Sequence, residues 1–303
     1  MVATRQHIDG ANVLDNVRKV WRRYAWFDSD SKYTAVTLWT VATHFRDASG
    51  ALVFPEFAHL GFFSPEPGCG KTRCLQILQM LCANAPNIPI EPSEAAVALM
   101  LGREHRVLLL DEGDVLFGSG KRKSAIRAIL NSSYKKGGTW PRVRNGNLDD
   151  VPVDGGGCAG GFLDVVEKGT GNTLEALMQR FIKIRMAKPP AGTAIHKPRE
   201  VVGEFDGRKL TGEDVAARLN QLAGAWAAQE MPNVASMTPE MPEGVELRQE
   251  ELWTALLAVA QAAGGQWPQL ATEAATDLSL YGGTPDVVAE SMGMLADVTA
   301  GWE

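Results

Sequence analysis

The chain has 303 residues, of which 45% are apolar and 22% charged, with a net charge of −6. That is the composition of an ordinary soluble protein of one large domain or two small ones. Overall charge does not mark a nucleic-acid binder, so any such role has to come from a local patch. The four cysteines form no Cys-x-x-Cys pair, which argues against a disulfide framework or zinc site and for a reducing, cytoplasmic setting.

The start, MVATRQHIDG, carries no apolar signal core, and no apolar run approaches the ~18–20 residues that span a bilayer, so no membrane partner is expected. Residues 1–52 read as an amino-terminal helical region. Val13, Val17, Val20 and Tyr24 recur at helical spacing with Trp21 beside them, and a second helix is expected over Lys32 to Arg46 with Trp39 and Phe45 as anchors.

Residues 53–200 read as an α/β core. "LGFF" is a short apolar run leading into a glycine-rich turn, and "TRCLQILQMLCA" places Leu75, Ile77, Leu78 and Leu81 on one helical stripe. "NIPIE" fits a short strand, and Ser93 suits the N-cap of "EAAVALMLG". "RVLLLDEGD" is an unbroken apolar run ending in acids, as a strand buried on both faces of a parallel sheet reads, and "RFIKIRM" is a further strand. Residues 187–212, rich in Pro and Gly, read as a linker or irregular crossover. Residues 201–303 form a carboxyl-terminal helical lid domain, with helices over "EDVAARLNQLAGAWAAQ", "RQEELWTALLAVAQAAG" and "TPDVVAESMGMLADVTAGW", the first two separated by "MPNVASMTPEMPEG".

The turn "SPEPGCGKTR" departs from the phosphate-loop pattern G-x-x-x-x-G-K-S/T only in its opening glycine, which is Pro65. Proline can supply the bend, and the wrapping amides come from later residues. The expected nucleotide contacts are Pro67, Gly68, Cys69, Gly70, Lys71, Thr72 and Arg73, with Lys71 on the terminal phosphates. Forty residues after Lys71, "LLLDEGD" sets Asp111 and Glu112 at a strand end, the pattern of a Walker B motif. Thr72 and Asp111 are the expected Mg²⁺ ligands, and Glu112 is the expected general base. A chance Gly-Lys-Thr turn and an acid pair that merely caps a helix are the bland alternatives. No Asn-Lys-x-Asp guanine reader is present, which favours ATP as cofactor.

From Val115 to Leu148 there is no Asp or Glu, while the stretch holds Lys121, Arg122, Lys123, Arg127, Lys135, Lys136, Arg142 and Arg144 with Tyr134 and Trp140 interleaved. Phosphate neutralisation with base stacking is how a single strand is held, so these bases, Arg127 aside, are the candidate contacts to single-stranded or duplex nucleic acid, against the alternative of a solvated face. Asn131 fits either a helix cap or a nucleotide contact. Arg180, in "ALMQRFIKI", falls at a helix–strand junction. It suits either a finger entering a neighbour's ATP site or a cap on the preceding helix. Arg248 is the candidate phosphate contact from the lid.

"SPEPGCGKTR", "LLLDEGDVLFG", "ILNSSYKKGG", "RFIKIRM" and "EMPEGVELRQEELWTALLAVAQAAGGQWP" together resemble a family of P-loop proteins from actinobacteria and their phages, catalogued as a domain of unknown function. Members stand alone or behind primase-polymerase-like regions of mobile elements. The resemblance runs from about residue 12 to about residue 275. It implies a divergent AAA+-like P-loop NTPase with the loop strand central in a parallel sheet, a helical lid, and assembly as a ring or filament, a hexamer among the options. It also implies roles in ATP hydrolysis for Lys71, Thr72, Asp111, Glu112, Arg180 and Arg248, and a sensor position near Asp164. The connection "AGGFLDVVEKGTGNTLEALMQR" is longer than is usual for the family. The expected function is a nucleic-acid-dependent ATPase, helicase-like or a replication and recombination accessory motor. Its rivals are an ATP-gated protein-remodelling or scaffold ATPase and a small-molecule kinase.

Overall fold

The computed structural model of the chain describes residues 7–280 apart from 87, 90, 91, 112, 114–120, 145, 164–171 and 246, and gives backbone only at 121, 122, 144, 172–174, 247, 248 and 280. Two amino-terminal helices, α1 (Gly10–Tyr24) and α2 (Asp30–Ala42), precede the first strand, β1 (His59–Ser64). There follow α3 (Lys71–Leu81), α4 (Glu94–Ala98) running on into a π-helical turn (Leu99–Arg103), β2 (Leu108–Leu110) and α5 (Lys121–Ser133). A hairpin of β3 (Thr139–Arg144) and β4 (Asn147–Pro152) leads to β5 (Cys158–Leu163), α6 (Asn172–Met178) and β6 (Phe181–Arg185). A second hairpin, β7 (Val201–Phe205) and β8 (Arg208–Thr211), precedes α7 (Gly212–Ser236), α8 (Leu247–Ala263) and α9 (Trp267–Leu280).

Strands β2, β5, β1 and β6 form one sheet in that order, and every pairing in it is parallel. The protein is therefore α/β, and β1 lies inside the sheet between β5 and β6. Side chains alternate along each strand and so divide between two layers. Leu60, Phe62, Leu109, Ala159, Ile182 and Ile184 face one cluster with α1, α2, α3 and the carboxyl-terminal helices. Phe63, Leu108, Leu110, Phe162 and Phe181 face the other, with α4, α5 and α6. Covering both faces is what lets these strands be apolar throughout.

The first cluster is built on tryptophan. Trp21, Trp39, Trp226, Trp253 and Trp267 are all fully buried. Three of them satisfy their indole donors: Trp39 Nε1 to Ala58 O at 2.7 Å, Trp267 Nε1 to Asp15 Oδ1 at 3.0 Å and Trp21 Nε1 to Thr40 Oγ1 at 3.3 Å. An indole can be buried at little cost only when its N–H finds such a partner. The cluster crosses both of the segment boundaries read from the sequence, at 52/53 and 200/201.

Differences from the sequence reading are local. Residues 187–212 contain the β7–β8 hairpin, whose turn places Asp206 at φ 50° and Gly207 at φ 70°, the two left-handed positions that an Asp-Gly turn supplies. Helix α7 continues through Pro232 to Ser236, into the expected separator, with Val234 buried on it. Helix α9 was not anticipated. "NIPIE" falls on 87–91, where 87, 90 and 91 are outside the described residues, as is "TPDVVAESMGMLADVTAGW". Ser93 does cap α4, accepting from Ala96 N at 3.2 Å. The four cysteines are free and buried. No helix among the described residues is long and apolar enough to cross a membrane.

Two buried histidines give the fold a predictable acid sensitivity. His44 Nε2–H donates to Leu81 O at 2.8 Å and His59 Nε2–H to Leu130 O at 2.9 Å. Burial pushes both imidazoles down to about 4. The unfolded chain then takes up these protons first as pH falls, from about pH 6.5. Stability held above that pH is lost progressively down to about pH 4, by up to about 1.4 kcal/mol per pH unit for each histidine. Denaturant midpoints at about pH 7, 5.5 and 4.5 are expected to fall in that order. The His44→Gln protein should show a shallower fall.

Candidate functional site

At the carboxyl edge of β1 the chain turns through residues 65–70 into α3. Ser64 Oγ donates to Glu66 O at 2.8 Å and closes the first bend. Gly68 at φ 87° and Gly70 at φ 95° supply backbone angles that other residues resist. Space is not the constraint there: a Cβ at Gly68 would meet nothing within 4 Å, and one at Gly70 only Met186 Cε at 3.7 Å. Pro67 is exposed, and Cys69 is buried under the turn. Gly70 caps α3 without a side-chain bond, and the first turn of the helix holds no acid. The opening residues Lys71 and Arg73 instead add positive charge to the positive end of the helix dipole. That arrangement costs about 0.3–1 kcal/mol per charge without an anion and favours one when present.

Lys71 Nζ donates to Ser64 Oγ at 2.5 Å, so the ammonium folds back over the end of β1. Thr72 Oγ1 donates to Asp111 Oδ1 at 3.1 Å, which brings the helix start and the end of β2 together across the intervening strand β5. Asp111 is exposed at that edge. Arg73 Nη1 reaches His196 O at 3.4 Å, and Lys188 pairs with Glu66 at 2.7 Å, so the segment after β6 is tied to the turn. Glu112 and Asp164 lie outside the described residues, and Arg248 lies on α8 with its side chain outside them.

Sequence reasoning passed over two residues here. Ser64 is the hydroxyl that holds Lys71. Gly161 on β5 lies beneath Lys71, where a Cβ would sit 3.1 Å from Lys71 Cβ. The glycine pair in "CAGGFL" was the available signal, since glycine within a buried strand marks a close approach. Gly161→Val is expected to displace Lys71 while circular dichroism stays native-like. The displaced ammonium would lose its bond to Ser64 Oγ, which a crystal structure of the variant would read.

Arg180 is at the other edge of the sheet. His59 N donates to Arg180 O at 2.9 Å, and His59 pairs in register with Phe181. Five strand residues at ~3.3 Å each separate this end of β1 from the turn, about 17 Å, so Arg180 does not reach the Lys71 of its own chain. Its guanidinium donates to Asn131 Oδ1 and, at 3.4 Å, to Ala176 O, the second being the helix-capping contact. It also stacks on Tyr134, 5.1 Å from the ring centroid.

The basic stretch is divided among separate elements. Lys121, Arg122 and Lys123 open α5, the first two with undescribed side chains. Lys135 and Lys136 follow its end, beside the approach to β1. Lys135 pairs with Glu56 at 3.6 Å and Glu251 at 3.3 Å, and Lys136 N donates to Pro55 O at 2.7 Å. Arg142 and Arg144 lie on β3, where Arg142 stacks on Trp140 at 4.7 Å and stands opposite Asp149 of β4. The apparent segregation of charge ends as the hairpin returns through Asp149 and Asp150. Near the hairpin tip, Val143 and Leu148 pair across the strands and are 76% and 71% exposed.

Fold and site together define an α/β protein with a glycine turn, a lysine and a threonine–aspartate contact at the carboxyl edge of a parallel sheet. Residues 195–302 match the family described as "Protein of unknown function (DUF3631)". The chain is also similar to an "Uncharacterized 28.9 kDa protein in xis 5'region" of Saccharopolyspora erythraea, with 39% identity over 85 residues, 27% of this chain and 29% of that protein. The family match thus covers β7 to α9 and the residues beyond, and lies downstream of the Lys71 turn.

Proposed function

We propose that the chain binds ATP with Mg²⁺ at the Lys71 turn and hydrolyses it as an oligomeric, nucleic-acid-dependent ATPase, helicase-like or a replication accessory motor, on an AAA+-like P-loop fold. The observation that carries this reading is the 3.1 Å contact of Thr72 Oγ1 with Asp111 Oδ1 beside a helix start that offers its amides and Lys71 to an anion. The interior position of β1 agrees with the fold.

The residues fit the metal. Among the described residues no cluster of three His, Cys, Asp or Glu side chains is present, and Mg²⁺ does not ask for one. It takes one or two hard protein oxygens and completes its shell with waters and phosphates. Thr72 and Asp111 would hold it, and bound there it supplies charge that neutralises the phosphates. Lys71 would leave Ser64 Oγ for the terminal phosphates, and the amides at the start of α3 would orient them. Glu112, next after Asp111, is the base for the attacking water. Arg180 would serve the site of an adjacent copy.

Single-stranded DNA is expected to stimulate ATP turnover, and Arg142→Glu to abolish the stimulation at unchanged basal rate. The hairpin also supports a second reading. Its exposed Val143–Leu148 pair and the carboxylate facing Arg142 suit a protein partner better than a polyanion. No response to DNA, with assembly on ATP that depends on Val143 and Leu148, would favour ATP-gated remodelling instead.

A further inference from the structure

Lys135 was grouped by sequence with the residues expected on nucleic acid, yet its surroundings group it with Arg180. Its ammonium is 5.3 Å from the centroid of the Tyr134 ring, the ring on which Arg180 also stacks. Tyr134 is fixed from both ends. Its carbonyl accepts from Phe57 N at 2.8 Å, and its hydroxyl donates to Glu251 Oε2 of α8. Lys135 Nζ donates to the other oxygen of the same carboxylate at 3.3 Å. A cavity of about 310 Å³ opens among Tyr134, Lys135, Gln179, Arg180 and Glu251. That volume is at the lower end of small-ligand sites.

We propose that Lys135 and Arg180 form a paired cationic site that receives the terminal phosphate of ATP held at Lys71 of an adjacent copy of this chain. Tyr134 is the platform for both cations, and Glu251 is the carboxylate that pairs with Lys135 until phosphate arrives. The proposal rests on the ATP reading above.

The two side chains are chemically complementary. A planar guanidinium addresses two phosphate oxygens at once, and an ammonium adds a movable point charge. During hydrolysis the water oxygen bonds to the terminal phosphorus as the bond to the β,γ-bridging oxygen breaks. The products are ADP, inorganic phosphate and a proton, and the charge shifting onto phosphate oxygens is what the two cations stabilise. The site cannot serve its own chain's Lys71, which lies across the length of β1. Burial, with help from Glu251, pushes the Tyr134 phenol up, so its hydroxyl stays a donor and leaves the carboxylate a partner when phosphate takes Lys135.

The test uses the full chain under conditions where wild type turns over ATP. Lys135→Ala is expected to lower kcat by about tenfold or more, with ATP affinity kept within about twofold. Lys135→Arg should recover most of the rate. Copies carrying Lys135→Ala, mixed with Lys71→Ala copies that bind no ATP but present an intact Lys135 and Arg180, should regain turnover. A wild-type rate for Lys135→Ala alongside an inactive Arg180→Ala would overturn the pairing and leave the ATPase reading standing. Failure of the wild-type chain to bind any nucleoside triphosphate would overturn both.

Discussion

Replacing Lys71 with methionine is expected to remove measurable uptake of ATP while leaving the fold intact. Methionine keeps the length and apolar stem of lysine, so the contact over Gly161 survives. Only the ammonium that now rests on Ser64 Oγ, 2.5 Å away, is lost. Truncating one partner of a hydrogen-bonded charge pair in a partly buried site costs roughly 2–5 kcal/mol, about thirtyfold to a few thousandfold in affinity. Isothermal titration of ATP with magnesium into both proteins reads the difference. Equal affinity in the two would remove the ground for a nucleotide site at this turn. Thermal melting without nucleotide should change little, because Ser64 Oγ keeps its bond to Glu66 O when the ammonium is gone.

Arg180→Ala is expected to act in the opposite way, sparing affinity and abolishing turnover. The backbone of Arg180 meets the far end of β1, a strand about 17 Å long, so nucleotide binding at the turn of its own chain does not depend on it. Where an arginine enters a neighbour's site, its removal costs ~10³–10⁵ in rate. The measurement is steady-state hydrolysis against ATP affinity, each over a range of protein concentration. Wild-type rate should climb with concentration as copies assemble, and the variant's should not. The loss of the bond to Ala176 O alone would cost only about 0.5–1.5 kcal/mol of stability, and normal hydrolysis by the variant would assign Arg180 to capping.

Local pattern made much of the sheet legible. An apolar run ending at a glycine turn and another ending in acids placed β1 and β2, and the spacing of Leu75, Leu78 and Leu81 placed α3. Lys71, Thr72 and Asp111 were singled out by residue type and order, each sits at the end of a regular element, and the structure brings Thr72 and Asp111 into contact. The hairpins were harder to read: the Asn-Gly turn within 139–152 lies in the basic stretch, and the Asp-Gly turn within 201–211 lies in a Pro- and Gly-rich segment. Helix α9 escaped because Gly264 and Gly265 read as an end, whereas they reverse the chain and let Trp267 and Pro268 start again. The Tyr134–Glu251 contact was invisible for a different reason. It joins residues 117 positions apart in the chain, and no local spacing encodes that. Lys135 shows the hazard most clearly. Its charge put it in a basic run, while its environment is set by Glu251, 116 residues away.

The shared tryptophan cluster has a consequence for how the molecule is made. Trp21, Trp39 and Phe45 are covered in part by Trp226, Trp253 and Trp267. A ribosome therefore releases the amino-terminal helices long before the segments that shield them exist. Until α7–α9 emerge, those indoles have no permanent cover, and closing so long a loop is slow and exposes sticky surface meanwhile. Burial of α1 and α2 is thus completed only once α7–α9 have been made.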